Sequence, residues 1–88
     1  MDKEIYQDAL NKWGIDAQVK QAIEELTELS LALQHHKKGK STISDIVSEI
    51  ADVEIMCSQL RLICGDKIVD NAKSFKLLRL RGRINETK

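Results

Sequence analysis

Proline is absent from this 88-residue chain, and the only aromatic residues are Tyr6, Trp13 and Phe75. A chain without proline carries none of the residues that break helix interiors. Cysteine is equally sparse. Cys57 and Cys64 lie seven residues apart on one expected helix, about 10 Å along its axis at ~1.5 Å per residue, too far apart for a disulfide. They read as core thiols of a reducing compartment. Net charge is also missing, since fourteen basic residues balance fourteen acidic ones, which argues against a dedicated nucleic-acid binder. No apolar run approaches the length of about 18 residues needed to cross a bilayer, and the first thirty residues show no basic-then-apolar leader pattern. The expectation is a soluble, cytoplasmic chain without a membrane partner.

The few glycines fall where an all-helical chain needs breaks. Gly14, Gly39, Gly65 and Gly82 supply those breaks, which imply four helices, and no strand-like alternation competes with them. The first helix is expected from about Asp2 to Lys12. A second follows from about Asp16 to His36, with Asp16 as N-cap and an apolar stripe of Val19, Ala22, Ile23, Leu26, Leu29 and Leu33. The basic loop containing His35 and His36 leads to a third helix, starting at Ser41 or Thr42 and ending near Cys64. The fourth runs from about Asp66 to Arg83, with Ile68, Val69, Ala72 and Phe75 on its inner side. The architecture expected is one all-α domain spanning residues 1–88, a four-helix bundle. A chain this short buries a thin core, so a homodimer or homotetramer is expected to cover surplus apolar surface.

Charge placement carries the chemical signal. Glu25 and Glu28 lie three residues apart on the second helix, and Glu49 and Asp52 repeat that step on the third. Three-residue spacing places both members of a pair on one helix face. On the third helix Glu49, Asp52, Met56 and Ile63 share a sector, while Ile43, Ile46, Val47, Ile50, Cys57 and Cys64 form a second, and both are expected to be covered. Acids do not ordinarily take positions beside residues that favour burial. Packing the two helices together would converge four carboxylates, whose repulsion a cation relieves. An all-oxygen donor set suits Mg²⁺, or Mn²⁺, better than Zn²⁺.

The same residues carry a resemblance. Glu25-Leu-Thr-Glu28, twenty intervening residues and Glu49-Ile-Ala-Asp52 resemble the signature of the MazG-like all-alpha nucleoside triphosphate pyrophosphohydrolases. The resemblance extends from Lys12-Trp13-Gly14 to Lys76-Leu-Leu-Arg79-Leu80. It implies Mg²⁺-dependent hydrolysis of a (deoxy)nucleoside triphosphate to the monophosphate and pyrophosphate. Glu25, Glu28, Glu49 and Asp52 are the implied metal ligands; Glu25 doubles as the first choice to take a proton from water, with Glu24 as the alternative helper. Basic residues of the last helix are implied near the polyphosphate, and Lys73, Lys76, Arg79 and Arg83 form such a ridge at three- and four-residue steps. Trp13 is a candidate to stack on the base, against a plain role as a core plug.

Blander readings stand beside these. Single acid pairs decorate many solvated helices, the basic ridge is equally a solvent face, and His35 and His36 lack a third soft ligand. A non-catalytic helical interaction module is the alternative to an enzyme. A helical nucleic-acid binder is a third class, and it requires steep salt dependence carried by the fourth helix.

Overall fold

The computed structural model describes residues 2–86, and among them every regular element is helical. Four helices follow one another in the expected order: α1 (Asp2–Trp13), α2 (Ile15–Lys37), α3 (Ile43–Cys64) and α4 (Asp66–Glu86). Their ends depart slightly from expectation. Gly14, at φ 90°, occupies the N-cap position of α2, and Asp16 lies inside the first turn. There its carboxylate complements the positive end of the helix dipole without capping it.

Local chemistry explains the break before α3. Thr42 is the N-cap: its hydroxyl accepts from the Asp45 backbone N–H at 3.1 Å, and its own N–H donates to the Asp45 carboxylate at 2.9 Å. This reciprocal pair satisfies two otherwise orphaned groups. It also holds the Asp45 carboxyl below its usual range, chiefly through the Thr42 backbone N–H. The loop ahead of it is closed by His36, whose Nδ1–H donates to the Ser41 carbonyl at 2.8 Å. The two histidines thus serve a solvated turn.

Long-range packing centres on the α2–α3 pair, with α1 lying across both. The core is small: Leu10 of α1, Ala22 and Ala32 of α2, and Met56 of α3, joined by the buried amides Gln18 and Gln59. Ala22 and Ala32 let the α2 and α3 backbones approach, and this choice of contact line displaces the apolar stripes expected inside. Ile23, Leu26 and Leu33 on α2 are exposed, as are Ile43, Val47 and Ile50 on α3. Only one of the two expected sectors of α3 is therefore covered, the one that carries the acids. Cys57 and Cys64, expected in the core, are exposed because they belong to the other sector.

The fourth helix stands apart. Among the described residues its backbone approaches α3 alone, and none of α4 is buried. Ile68 and Phe75, expected to face inward, are 68% and 75% exposed. What fixes α4 is its first turn. Arg61 donates through Nε to Asp66 at 2.6 Å and through Nη2 to the Asp66 carbonyl at 3.2 Å, and it also pairs with the Asp70 carboxylate. Lys3 bridges to Asp66 at 3.1 Å from α1. The Arg61 guanidinium, followed by Lys3, keeps the Asp66 carboxyl below its usual range. Gly65 makes the turn between the helices at φ 112°, where a Cβ would meet Ile68 Cδ1 at 3.0 Å. Replacing it with alanine would add left-handed strain and push the exposed end of the Ile68 side chain aside by a few tenths of an ångström.

Removing the α3 cap isolates the local contribution. Thr42→Ala is expected to lower the unfolding free energy by about 1 kcal/mol, while Thr42→Ser retains most of it. Urea denaturation followed by circular dichroism provides the measurement; equal midpoints for all three proteins would show that the box contributes nothing.

Candidate metal centre at the α2–α3 seam

Three turns of α2 and α3 bring the acids together. Glu25 lies between Ala22 and Ala32 on the buried side of α2, and Glu49 lies two turns before Met56 on the buried side of α3. Ligand oxygens of Glu25, Glu49 and Asp52 all lie within 4.8 Å of one another. Glu28 is more exposed and falls outside that trio, yet it faces Glu49 closely enough to act on its protonation. The pairing is therefore crossed: Glu25 meets Asp52, and Glu28 meets Glu49. All four acids of the two sequence pairs contribute to one electrostatic cluster.

The protein does little to neutralise this charge. Oε2 of Glu25 and Oε2 of Glu49 are buried without a hydrogen-bond partner. Glu25 Oε1 accepts from the Gln21 amide at 3.2 Å, one turn earlier on α2. Desolvation at the seam raises the Glu25 carboxyl above its ordinary value of 4.5, and the nearby Asp52, Glu28 and Glu49 raise it further. Desolvation likewise raises Glu49, followed by the Glu28 charge. Among the described residues, no recorded salt bridge reaches any of the four. The orphaned oxygens and hard donor set fit a divalent cation. Oxygens that share one Mg²⁺ at about 2.1 Å lie up to about 4.2 Å apart, so small side-chain rotations close the set.

A cleft adjoins the cluster. Gln21, Glu25, Asp52, Ile55 and Met56 line a cavity of about 170 Å³. Gln21 also borders a second cavity of about 380 Å³, walled by Trp13, Ala17 and Gln18. Trp13 and Ile55 in turn border a third space against α1, next to Tyr6 and Gln59. Trp13 is 58% exposed, so it plugs no core; Lys12 Nζ lies 5.3 Å from its ring centroid. Its indole stands at the junction of two cavities, one of which shares Gln21 with the acid cleft.

Other expected site residues are not brought to this cluster. Glu24, adjacent to Glu25 in sequence, is exposed and is not among the converged carboxylates. Lys73, Lys76, Arg79 and Arg83 are exposed on α4, and among the described residues no recorded salt bridge joins them to the acids. Gln21 is the residue that sequence reasoning passed over. Its signal was present, since glutamine four residues before Glu25 occupies the same helix face.

The chain matches no family model, no curated protein and no solved structure.

The raised carboxyls set the sign of a pH effect. A carboxyl whose folded-state pKa exceeds its unfolded value binds more protons when folded, so its contribution declines as pH rises through the interval above 4.5. Asp45 and Asp66 are shifted oppositely, and their contributions disappear only on acidification through the range below 3.8. With chelator present, the wild type is therefore expected to lose thermal stability between pH 5 and pH 7. Glu49→Gln should melt higher at pH 7 and show a shallower decline. Parallel melting curves for the two proteins across that range would contradict the repulsion.

Proposed function

We propose that the protein binds Mg²⁺ at the α2–α3 seam and hydrolyses a (deoxy)nucleoside triphosphate to the monophosphate and pyrophosphate. The observation that carries this reading is the crossed convergence of Glu25 with Asp52 and Glu28 with Glu49 around two orphaned buried oxygens. The MazG-like sequence pattern supplies the reaction class, and the seam supplies a donor set suited to it. Bound Mg²⁺ would neutralise phosphate charge and lower the pKa of water. Glu28, Glu49 and Asp52 would hold it. Glu25, whose raised affinity for a proton suits a general base, would accept the proton of the attacking water, with Gln21 orienting its carboxylate through Oε1.

The cleft supports a nucleotide in extended form. Phosphates at the acid end would place the base toward Trp13, whose exposed indole offers a stacking face, while Gln18 and Gln21 offer amide groups between the two. Cations for the outer phosphates are the role left to Lys73, Lys76, Arg79 and Arg83 of α4. A second reading, a non-catalytic interaction module, is favoured by the apolar positions exposed on α2, α3 and α4. An interaction module has no need of converged, unpaired carboxylates, which is why the enzyme reading is preferred.

Two measurements separate these readings. Mg²⁺ is expected to raise the melting temperature of the wild type but not of Glu49→Gln, and a screen of nucleoside triphosphates should yield pyrophosphate as first product. Glu25→Gln should reduce turnover by about 10²- to 10⁴-fold, the usual contribution of a positioned base, with an unchanged helical spectrum. Orthophosphate as first product would move attack to the γ-phosphorus; no metal response at all would favour the interaction module.

A further inference from the structure

Two of the three aromatic residues in the chain, Tyr6 and Trp13, border one cavity. It measures about 390 Å³ and lies between α1 and α3, walled by Ile5, Tyr6, Ala9, Trp13, Ile55 and Gln59. Helical spacing explains the grouping. Tyr6, Ala9 and Trp13 recur at steps of three and four on α1, as do Asp52, Ile55 and Gln59 on α3, so each set forms one stripe of its helix. The volume falls within the range of about 300–1,000 Å³ usual for small-molecule sites, and apolar, aromatic walls around a few polar groups match their make-up.

The polar group in its wall that lacks a partner is the Gln59 amide. Gln59 is 4% exposed, its Oε1 is buried without a hydrogen bond, and its Nε2 has only the Met56 sulfur, at 3.9 Å. Buried amides ordinarily find partners at both ends, because an unpaired end forfeits the hydrogen bonds that water would give it. Among the described residues none answers this one. The terminal torsion of glutamine is broad, so a small turn brings Oε1 to the cavity it lines. An acceptor beside a weakly held donor then matches a planar ring that presents an amino hydrogen next to a ring-nitrogen lone pair.

Ile55 borders both this cavity and the acid cleft of Glu25 and Asp52. Gln59 stands seven residues beyond Asp52, about 10 Å along the α3 axis at ~1.5 Å per residue. We infer that this cavity takes the nucleobase and that Gln59 selects bases with an exocyclic amino group beside a ring nitrogen, cytosine and adenine, over their keto counterparts. The placement of phosphate at the acid end rests on the triphosphate reading; the base contacts stand on the cavity itself. The sugar lies over Ile55 and the ring beside Tyr6 and Trp13. Oε1 accepts from the amino N–H, while Nε2 keeps one hydrogen on the Met56 sulfur and gives the other to the ring nitrogen. A keto base sets a carbonyl oxygen against Oε1 and an N–H against Nε2, so both contacts turn repulsive. Turning the amide over would set Oε1 against the sulfur and forfeit that contact.

Trp13 is the only tryptophan, so its fluorescence reports on the cavity directly. Free nucleosides titrated into the full chain with chelator present test the base without metal or phosphate. Cytidine against uridine, and adenosine against inosine, change the amino edge at constant ring size. The amino members are expected to quench Trp13 at concentrations about tenfold lower than the keto members, within the discrimination of a bidentate amide contact. Gln59→Met, close in volume but without the amide, is expected to keep the helical spectrum and the quenching while losing the difference. Equal quenching within each pair, or none by any of the four, overturns the inference, and so does a preference that survives in Gln59→Met. The wild-type comparison decides even where that variant does not fold. Turnover separates this inference from the hydrolase reading. Nucleoside preference without hydrolysis of any triphosphate removes the hydrolase and leaves the base pocket; hydrolysis of cytidine and uridine triphosphates at equal kcat/KM removes the selectivity and leaves the hydrolase.

Discussion

Repulsion among four carboxylates at the α2–α3 seam is the constraint around which the rest of this structure is arranged. The two most extensively packed helices, α2 and α3, meet along a line that includes Glu25 and Glu49 and excludes several available isoleucines and leucines. Hydrophobic burial alone would favour the opposite choice, since each fully buried Leu or Ile side chain is worth about 1.5–3 kcal/mol relative to exposure. A seam that places acids inside needs a compensating partner for their charge, and the proposed cation serves it.

Small residues make the seam possible. Ala22 and Ala32, both buried, let α2 come close enough to α3 for its acids to reach across, and the buried Met56 borders the acid cleft. The amides Gln18 and Gln59 complete the buried layer, so the centre of this protein is more polar than its sequence composition suggests. Gln59 finds only the Met56 sulfur, at 3.9 Å, and its own carbonyl oxygen is buried without a partner. Polarity in the core thus extends from the acid cluster toward the cleft below Trp13.

Ion pairs act at the other end of the molecule, where they set direction more than stability. Arg61 gathers Asp66 and Asp70, and Lys3 reaches Asp66 from α1, so the exit angle of α4 is fixed by charge in its first turn. Beyond that turn no described residue of the helix is buried. The arrangement separates a compact acidic body from a basic apolar arm. In the proposed function the same arm carries the cations for phosphate.

The number, order and approximate ends of the helices follow from glycine placement and periodicity, because both act within one turn of the chain. The capping chemistry of Thr42 with Asp45 and the pairwise spacing of Glu25 with Glu28 and Glu49 with Asp52 are local in the same sense, and so the site was legible as two halves. Which face of each helix turns inward was not. Val19, Ile23, Leu26 and Leu33 announce an apolar stripe, but a stripe does not say whether its partner lies on the same chain. Packing chose the alanine and acid side of α2, exposed Cys57 and Cys64 with the second sector of α3, and crossed the acid pairs between helices. Those outcomes depend on distances between residues far apart in sequence, which helical spacing leaves undetermined and only the meeting of two backbones can decide.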